Sequence, residues 1–202
     1  MSLKPFIVYA IITCIYILIF TRFIKAVHRL RTILKKDKTN AMIIMGLDPG
    51  YAIVGYGIIS YEGNRFKALD FGAITTEKDT DFSERLKQIY DGTNYLLKKW
   101  KPCAMSVEKL FFNTNTTTGI GVAEARGVCL LSAYENGAKL FEYTPLQVKQ
   151  SVTGYGRADK KQVQEMTRML LNLDAVPKPD DTADALAVAI CHAHSSNSYF
   201  GI

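Results

Sequence analysis

Three closely spaced segments rich in β-branched and aromatic residues begin just after Met42, and they constrain the fold more than any other feature of the chain. They cover residues 43–49, 52–61 and 65–76, with Pro-Gly at the first break and Glu-Gly-Asn at the second. Gly, Pro and Asn at such breaks are typical of turns between strands. Connections this short join antiparallel strands, because a parallel pair needs a long crossover. The sequence therefore predicts an antiparallel three-stranded meander.

The rest of the chain alternates predicted helices with short strands. A helix over about 82–100 has an apolar stripe that includes Leu86, Ile89 and Leu97. The further predicted elements are a strand at 103–108, a helix at about 117–135, a strand at 138–143, a short helix opening at Pro145, a helix at 159–171 and a helix at about 180–194. Strands that alternate with helices after a meander indicate an α/β fold with a mixed sheet. The prediction is a mixed five-stranded sheet flanked by helices.

The formal net charge of +6 is concentrated in the first 41 residues. Residues 1–41 contain eight Lys and Arg against one acidic residue, whereas residues 42–202 contain 17 against 18, a balance of −1. The basic pI of the whole chain is therefore no argument that residues 42–202 bind nucleic acid. Any such site must be a local patch.

Residues 6–24 form a largely apolar run that is followed by a basic stretch. A helix of this length spans about 28 Å at ~1.5 Å per residue, close to the ~30 Å hydrocarbon core of a bilayer, and the basic flank is typical of the cytoplasmic side. Residues 1–41 are either a membrane anchor or the product of a misplaced start before Met42. Both interpretations predict a separate, cytoplasmic domain at 42–202.

The four cysteines are far apart and form no CxxC pair, which favours reduced thiols. Cys191-His192-Ala193-His194 has the residue types of a metal site. The sequence has no second Cys/His cluster that would complete a tetrahedral zinc site, however.

Acidic residues stand where the predicted structure does not require them. Asp48 in MGLDPGYAIVGYGII and Glu108 in CAMSVE each end a core strand, and Asp181 and Asp184 share a face of the final helix. Turn formation and helix capping explain many such residues. Asp184, however, lies among small apolar residues that predict tight packing against the sheet. A charge there is costly unless it is paired or bound to a metal.

Convergence of these four carboxylates would require a hard cation, because their repulsion would otherwise leave them partly protonated. A set of oxygen ligands favours Mg²⁺ or Mn²⁺ over zinc. Two such ions about 3.5–4 Å apart are the usual arrangement for phosphodiester hydrolysis. The acids therefore predict a two-metal nuclease site.

Four segments together resemble the RuvC family of Holliday junction resolvases. They are MGLDPGYAIVGYGII, SVEKLFFNTNTTTGIGVAEARGV, EYTPLQVKQSVTGYGRADKKQVQEM and DDTADALAVAICHAH, in the family's order from Met42 to about His194. The resemblance implies a ribonuclease H-like fold, a homodimer and symmetric nicking of four-way DNA junctions with two Mg²⁺ ions per site, for which Mn²⁺ can substitute. It also implies cooperation with a branch-migration helicase complex. The catalytic and metal-binding acids of the family fall on Asp48, Glu108, Asp181 and Asp184.

The resemblance also implies three DNA-binding residues. Lys149 in LQVKQ and Lys160 in RADKK match basic residues near the phosphates, and Phe111 in EKLFF matches an aromatic residue that stacks at the junction centre. Two features depart from the family pattern. Glu124 stands where the family often has Gln, and residues 1–41 have no counterpart.

Three other functions remain as alternatives. A sugar-kinase-like ATPase could use DPGYAIVGYG as a phosphate hairpin, but about 160 residues is short for that two-lobed fold. A ribonuclease H-like nuclease acting on RNA or RNA–DNA hybrid would not account for EKLFF and GYGRADKK. A non-catalytic junction-binding module would not need the four acids. The sequence predicts a structure-selective endonuclease that resolves Holliday junctions by paired, metal-dependent nicks in recombination and repair.

Overall fold

The structure is a computed structural model that describes residues 41–110 and 116–199. Within these ranges the chain forms five strands and five helices. The strands are β1 (Met42–Asp48), β2 (Ile53–Glu62), β3 (Arg65–Thr75), β4 (Ala104–Glu108) and β5 (Lys139–Tyr143). The helices are α1 (Phe82–Trp100), α2 (Thr116–Glu135), α3 (Pro145–Thr153), α4 (Lys160–Leu170) and α5 (Asp180–Tyr199).

The strands form one mixed sheet in the order β3-β2-β1-β4-β5. The pairs β1–β2 and β2–β3 are antiparallel, and the pairs β1–β4 and β4–β5 are parallel. The predicted meander and the predicted mixed five-stranded sheet are therefore confirmed. The connection from β2 to β3 is the two-residue turn Gly63-Asn64, with φ of 52° and 62°. Two positive φ angles are those of the type I′ turn, whose twist matches that of the flanking strands.

Local hydrogen bonds fix where two of the helices begin. Thr144 accepts from the backbone N–H of Gln147 at the start of α3, and Asp159 accepts from that of Gln162 at the start of α4. In both cases the Gln side chain bonds back to the capping residue, which completes a capping box. Pro145 stands in the first turn of α3, where no backbone N–H is needed.

Alternate residues of the central strands serve two cores, one on each face of the sheet. Met45 and Leu47 pack with α1 and α2, whereas Ile44 packs with α3, α4 and α5. This alternation follows from the opposite directions of successive side chains in a strand. Because Asp48 has the same parity as Ile44, it faces the layer that contains α5.

Helix α5 lies directly against the backbones of β1 and β2. A Cβ on Gly46 would lie 2.0 Å from the carbonyl oxygen of Ala185, and a Cβ on Gly55 would lie 2.1 Å from that of Asp181. Only glycine permits so close an approach. The tight packing predicted from the small residues around Asp184 is confirmed, since Ala183 and Ala185 are almost fully buried.

The predicted end of the last helix was wrong, because α5 continues beyond residue 194 to Tyr199. Polar residues replace the apolar pattern after His194. In this extension Ser195 and Ser196 donate side-chain hydrogen bonds to the carbonyl oxygens of Cys191 and Ala193, each at 2.8 Å. In the part of the chain that the structure describes, no helix is long and apolar enough to cross a membrane. The predicted membrane contact through residues 6–24 lies outside the described residues, as does the rest of residues 1–40.

Candidate active site

Three of the four predicted acids line one cavity of about 530 Å³. Leu47 pairs with Val107 in the parallel β1–β4 ladder, so Asp48 and Glu108 follow at the same edge of the sheet. Asp184 reaches the cavity from α5. Asp181 is not among the lining residues, although its charge is close enough to raise the pKa of both Asp48 and Asp184.

The remaining walls of the cavity are basic and apolar. Lys109, Lys149 and Lys160 contribute the basic groups. Val148, Val163, Ala187 and Val188 form an apolar wall. The structure thus brings Lys149 and Lys160 to the acids, as the predicted DNA contacts require. Phe111 lies outside the described residues, and its assignment remains a prediction.

Burial and mutual repulsion raise the pKa values of the three acids that line the cavity. The pKa of Asp48 is raised to about 7. Burial is the largest cause, the charges of Asp184, Asp181 and Glu108 raise the pKa further, and Lys160 lowers it. The pKa of Glu108 is raised by burial and by Asp184, against the lowering effect of Lys149. Burial also raises the pKa of Asp184, against the hydrogen bond from Lys160. The site therefore favours a bound cation or proton.

Lys160 provides part of that positive charge. Its Nζ lies 2.9 Å from Oδ2 of Asp184 and 3.6 Å from Oδ2 of Asp180. The lysine is the first residue of α4, so the capping box at Asp159 sets its direction. Asp180 also pairs with Lys178 at 2.6 Å, which makes it a partner of two lysines.

The donors fit a hard divalent cation by their chemistry. Asp48, Glu108 and Asp184 offer only oxygen atoms, the ligands that Mg²⁺ and Mn²⁺ prefer, and burial followed by repulsion from other carboxylates raises the pKa of each. Over residues 41–110 and 116–199, no three His, Cys, Asp or Glu side chains are already gathered as a metal requires. Asp48, Glu108 and Asp184 would hold the cation when it is bound.

The two histidines of α5 are not among the residues that line the acidic cavity. Nδ1 of buried His192 is 2.7 Å from the hydroxyl of Tyr143, and burial lowers the pKa of its ring to about 4. Nδ1 of His194 is 3.0 Å from the backbone oxygen of Ser151. The three described cysteines, Cys103, Cys129 and Cys191, are free thiols.

One support of the site was missed by the sequence reasoning. The turn after Asp48 is tied down by Thr76, whose hydroxyl donates to the carbonyl of Tyr51 at 2.9 Å. Arg85 in α1 donates to that hydroxyl at 2.8 Å and lies 4.7 Å above the Tyr51 ring. In the sequence Arg85 is one polar residue among several on α1, and nothing local marks it as a support of the site. Its partners are distant in sequence, so they become visible only in three dimensions.

The order of strands, the helices on both faces and the acidic cavity at one sheet edge define a ribonuclease H-like protein with a lysine-flanked carboxylate site. Residues 44–192 match the family model described as "Crossover junction endodeoxyribonuclease RuvC". The chain belongs to this family, which confirms the predicted resemblance.

Close relatives cover most of the chain. The RuvC endonuclease of Alkaliphilus oremlandii is 61% identical over 156 residues, which are 77% of this chain and 95% of the relative. That of Clostridioides difficile is 57% identical over 155 residues, 77% of this chain and 92% of the relative. The solved structure of Thermus thermophilus RuvC in complex with Holliday junction substrate has a TM-score of 0.75 at 32% identity and covers 78% of this chain and 96% of that one. The predicted ribonuclease H-like fold is thereby confirmed.

Proposed function

We propose that this chain resolves four-way DNA junctions by paired, symmetric nicks made in the cavity of Asp48, Glu108 and Asp184. The observation that carries the proposal is the meeting of three part-buried carboxylates and three lysines in one cavity of a RuvC-family chain. The solved Thermus relative, which is bound to Holliday junction substrate, supports the class of substrate. No described feature favours RNA or a hybrid duplex.

The four carboxylates of Asp48, Glu108, Asp181 and Asp184 would hold two Mg²⁺ ions, with Mn²⁺ as a substitute. Such ions, when bound, supply activation of a water molecule and stabilisation of the leaving oxygen. Asp181 stands outside the cavity lining, so we assign it a supporting place in this set. Rotation of its side chain toward Asp48 would complete the ligands.

The protein's own groups prepare the substrate. Lys149 and Lys160 bind the phosphates around the cleaved bond, because they line the cavity and carry the positive charge nearest to the acids. Lys160 also neutralises Asp184 before DNA and metal arrive. The apolar wall of Val148, Val163 and Val188 limits the water near the acids. Phe111 would stack on a base at the junction centre, as the family resemblance implies.

Paired nicks require two active sites, and α2 offers a surface for self-association. Ile120, Leu131 and Tyr134 are 60%, 53% and 75% exposed. Gly127 lies between them with open space where a Cβ would stand. These residues, spaced by seven, four and three along the helix, form one exposed stripe, which we call the α2 stripe. Pairing of two such stripes would give a homodimer with two cavities.

We infer that residues 42–202 act as one domain in the cytoplasm and that a branch-migration helicase complex presents the junctions to it. Residues 1–41 would add a membrane tether if they are translated. The chemistry requires none of them, because every proposed acid and phosphate contact lies after Met42.

Cleavage of a synthetic four-way junction tests the proposal. The full chain and residues 42–202 should both make paired cuts in Mg²⁺ and none in EDTA. A linear duplex and an RNA–DNA hybrid of the same sequence should be cut far more slowly. Faster cutting of the hybrid would support the alternative nuclease, and binding without cutting would support the non-catalytic module.

A further inference from the structure

A second cavity is lined by the end of α3, the loop between α3 and α4, and the first turns of α4. It has a volume of about 510 Å³, and its lining includes Tyr155, Lys161, Glu165 and Met166. Lys160 lines the catalytic cavity and the next residue, Lys161, lines this one. Two consecutive residues at the start of α4 thus line the two cavities.

The loop is packed against the helix that borders the catalytic cavity. A Cβ on Gly156 would lie 2.5 Å from a methyl carbon of Leu146. Leu146 follows Pro145, which lines the catalytic cavity. The loop thus contacts α3 one residue away from a residue that lines the catalytic cavity.

Backbone contacts fix Tyr155 and leave its ring exposed. The Tyr155 N–H donates to the hydroxyl of Thr153 at 3.1 Å, and the Tyr155 carbonyl accepts from the N–H of Ala158 at 3.2 Å. Gly154 precedes it with φ of 74°, as the left-handed cap of α3. Tyr155 is 58% exposed, and its hydroxyl has no hydrogen-bond partner within the described residues. The fold therefore presents an aromatic face to solvent on a rigid turn.

The free charges around this ring are positive. Arg157 and Lys161 are exposed and have no ion pair in the described part of the chain. The neighbouring acids are occupied, since Asp159 caps α4 and Glu165 pairs with Arg168 at 2.6 Å. An exposed aromatic ring between unpaired cations is suited to a nucleic-acid strand, which offers phosphates and flat bases or sugars.

We propose that Leu146, Tyr155, Arg157 and Lys161 form a second DNA-contact surface, which we call the Tyr155 platform. This inference rests on the proposed function, because the platform binds the strand of the same junction that leaves the catalytic cavity. Arg157 and Lys161 bind its phosphates, and the Tyr155 ring packs on a base or deoxyribose. The platform adds affinity and fixes the path of the strand without taking part in bond cleavage.

Junction binding in EDTA tests the role of the ring, with the full chain and a fluorescent four-way junction. Tyr155→Ala should weaken binding about tenfold, because stacking is lost, whereas Tyr155→Phe should stay within about twofold of wild type. The matched control is Tyr95→Ala, which removes a tyrosine that is 64% exposed on α1, across the sheet. All three variants should unfold at the wild-type temperature. Binding by Tyr155→Ala at wild-type strength, or an equal loss in Tyr155→Phe, would overturn the proposal.

The dependence of binding on salt tests the charges. The double variant Arg157→Gln, Lys161→Gln should reduce the magnitude of the negative slope of log K against log salt by about 1.8, since each phosphate contact contributes ~0.9. Lys98→Gln on α1 is the control and should leave the slope unchanged. An unchanged slope in the double variant would show that the platform does not bind DNA phosphates, which would overturn the proposal.

Discussion

Asp48 is buried and is repelled by three other carboxylates, and both effects raise its pKa. Its pKa of about 7 lies well above the 3.8 of an ordinary aspartate. The folded protein therefore holds a proton on Asp48 at a pH where the unfolded chain does not. A cation bound by the folded state would replace that proton.

Asp48→Asn keeps the shape of the side chain and removes its charge. If Asp48 holds metal, junction cleavage in Mg²⁺ should fall by orders of magnitude, because the coordination sphere loses its best-placed ligand. Binding in EDTA should persist through Lys149 and Lys160. Cleavage and binding assays measure the two effects, with Asp79→Asn, an exposed acid, as control. A variant that cuts near the wild-type rate would refute the carboxylate site.

The raised pKa also predicts how stability depends on pH. A group whose folded pKa lies above its unfolded pKa contributes stability that is lost as pH rises through the folded value. The Asp48 contribution to the free energy of unfolding without metal should therefore decline from about pH 4 to beyond pH 7. Urea unfolding in EDTA should show this decline in the wild type and a shallower one in Asp48→Asn. Equal slopes would mean that Asp48 titrates normally.

Individual residues of the site were predictable to different degrees. Asp48 and Glu108 could be found from sequence because each follows a short apolar strand. The position of Asp181 outside the cavity lining could not, since it depends on how α5 is rotated against the sheet. The ion pair between Lys160 and Asp184 joins residues that only the packing of α4 on α5 brings together.

At the scale of elements, the contact of α5 with the sheet positions Asp184. Gly46→Ala would force its methyl group onto the carbonyl of Ala185 at about the 2.0 Å of the built Cβ. We expect a loss of about 1–3 kcal/mol in the free energy of unfolding, as for other overpacked cores. Cleavage should fall with it, because α5 must move away from β1. Urea unfolding and cleavage at 25 °C would measure both, and wild-type values for both would contradict the described packing.

The elements themselves were largely predictable because their signals are local. Short turns determine the meander, and Pro145 marks the start of α3. No local signal in the sequence predicts that β4 lies between β1 and β5. This position depends on long-range packing, because helices cover both faces of these strands. The end of α5 was missed because the residues after His194 are mostly polar and lack the apolar periodicity from which a helix is predicted.

At the scale of the whole molecule, the α2 stripe predicts a dimer that Leu131→Asp should break. A carboxylate at the centre of an apolar interface would be buried without a partner, which is costly. Sedimentation equilibrium should give a dimer for wild type and a monomer for the variant. On a cruciform plasmid the variant should yield nicked circles in place of linear product. Tyr95→Asp is the exposed control, and a Leu131→Asp protein that remains dimeric would locate the interface elsewhere.

Helix α5 lies at the centre of one core and also contains Asp184. The site can therefore persist only as long as this core stays folded. Its amides between Ala183 and Ala193 lie among buried residues, so they can exchange with deuterium only when the molecule opens as a whole. Local fraying cannot displace Asp184 while leaving the remainder intact. On heating, the enzyme should therefore lose its activity when it unfolds and not before.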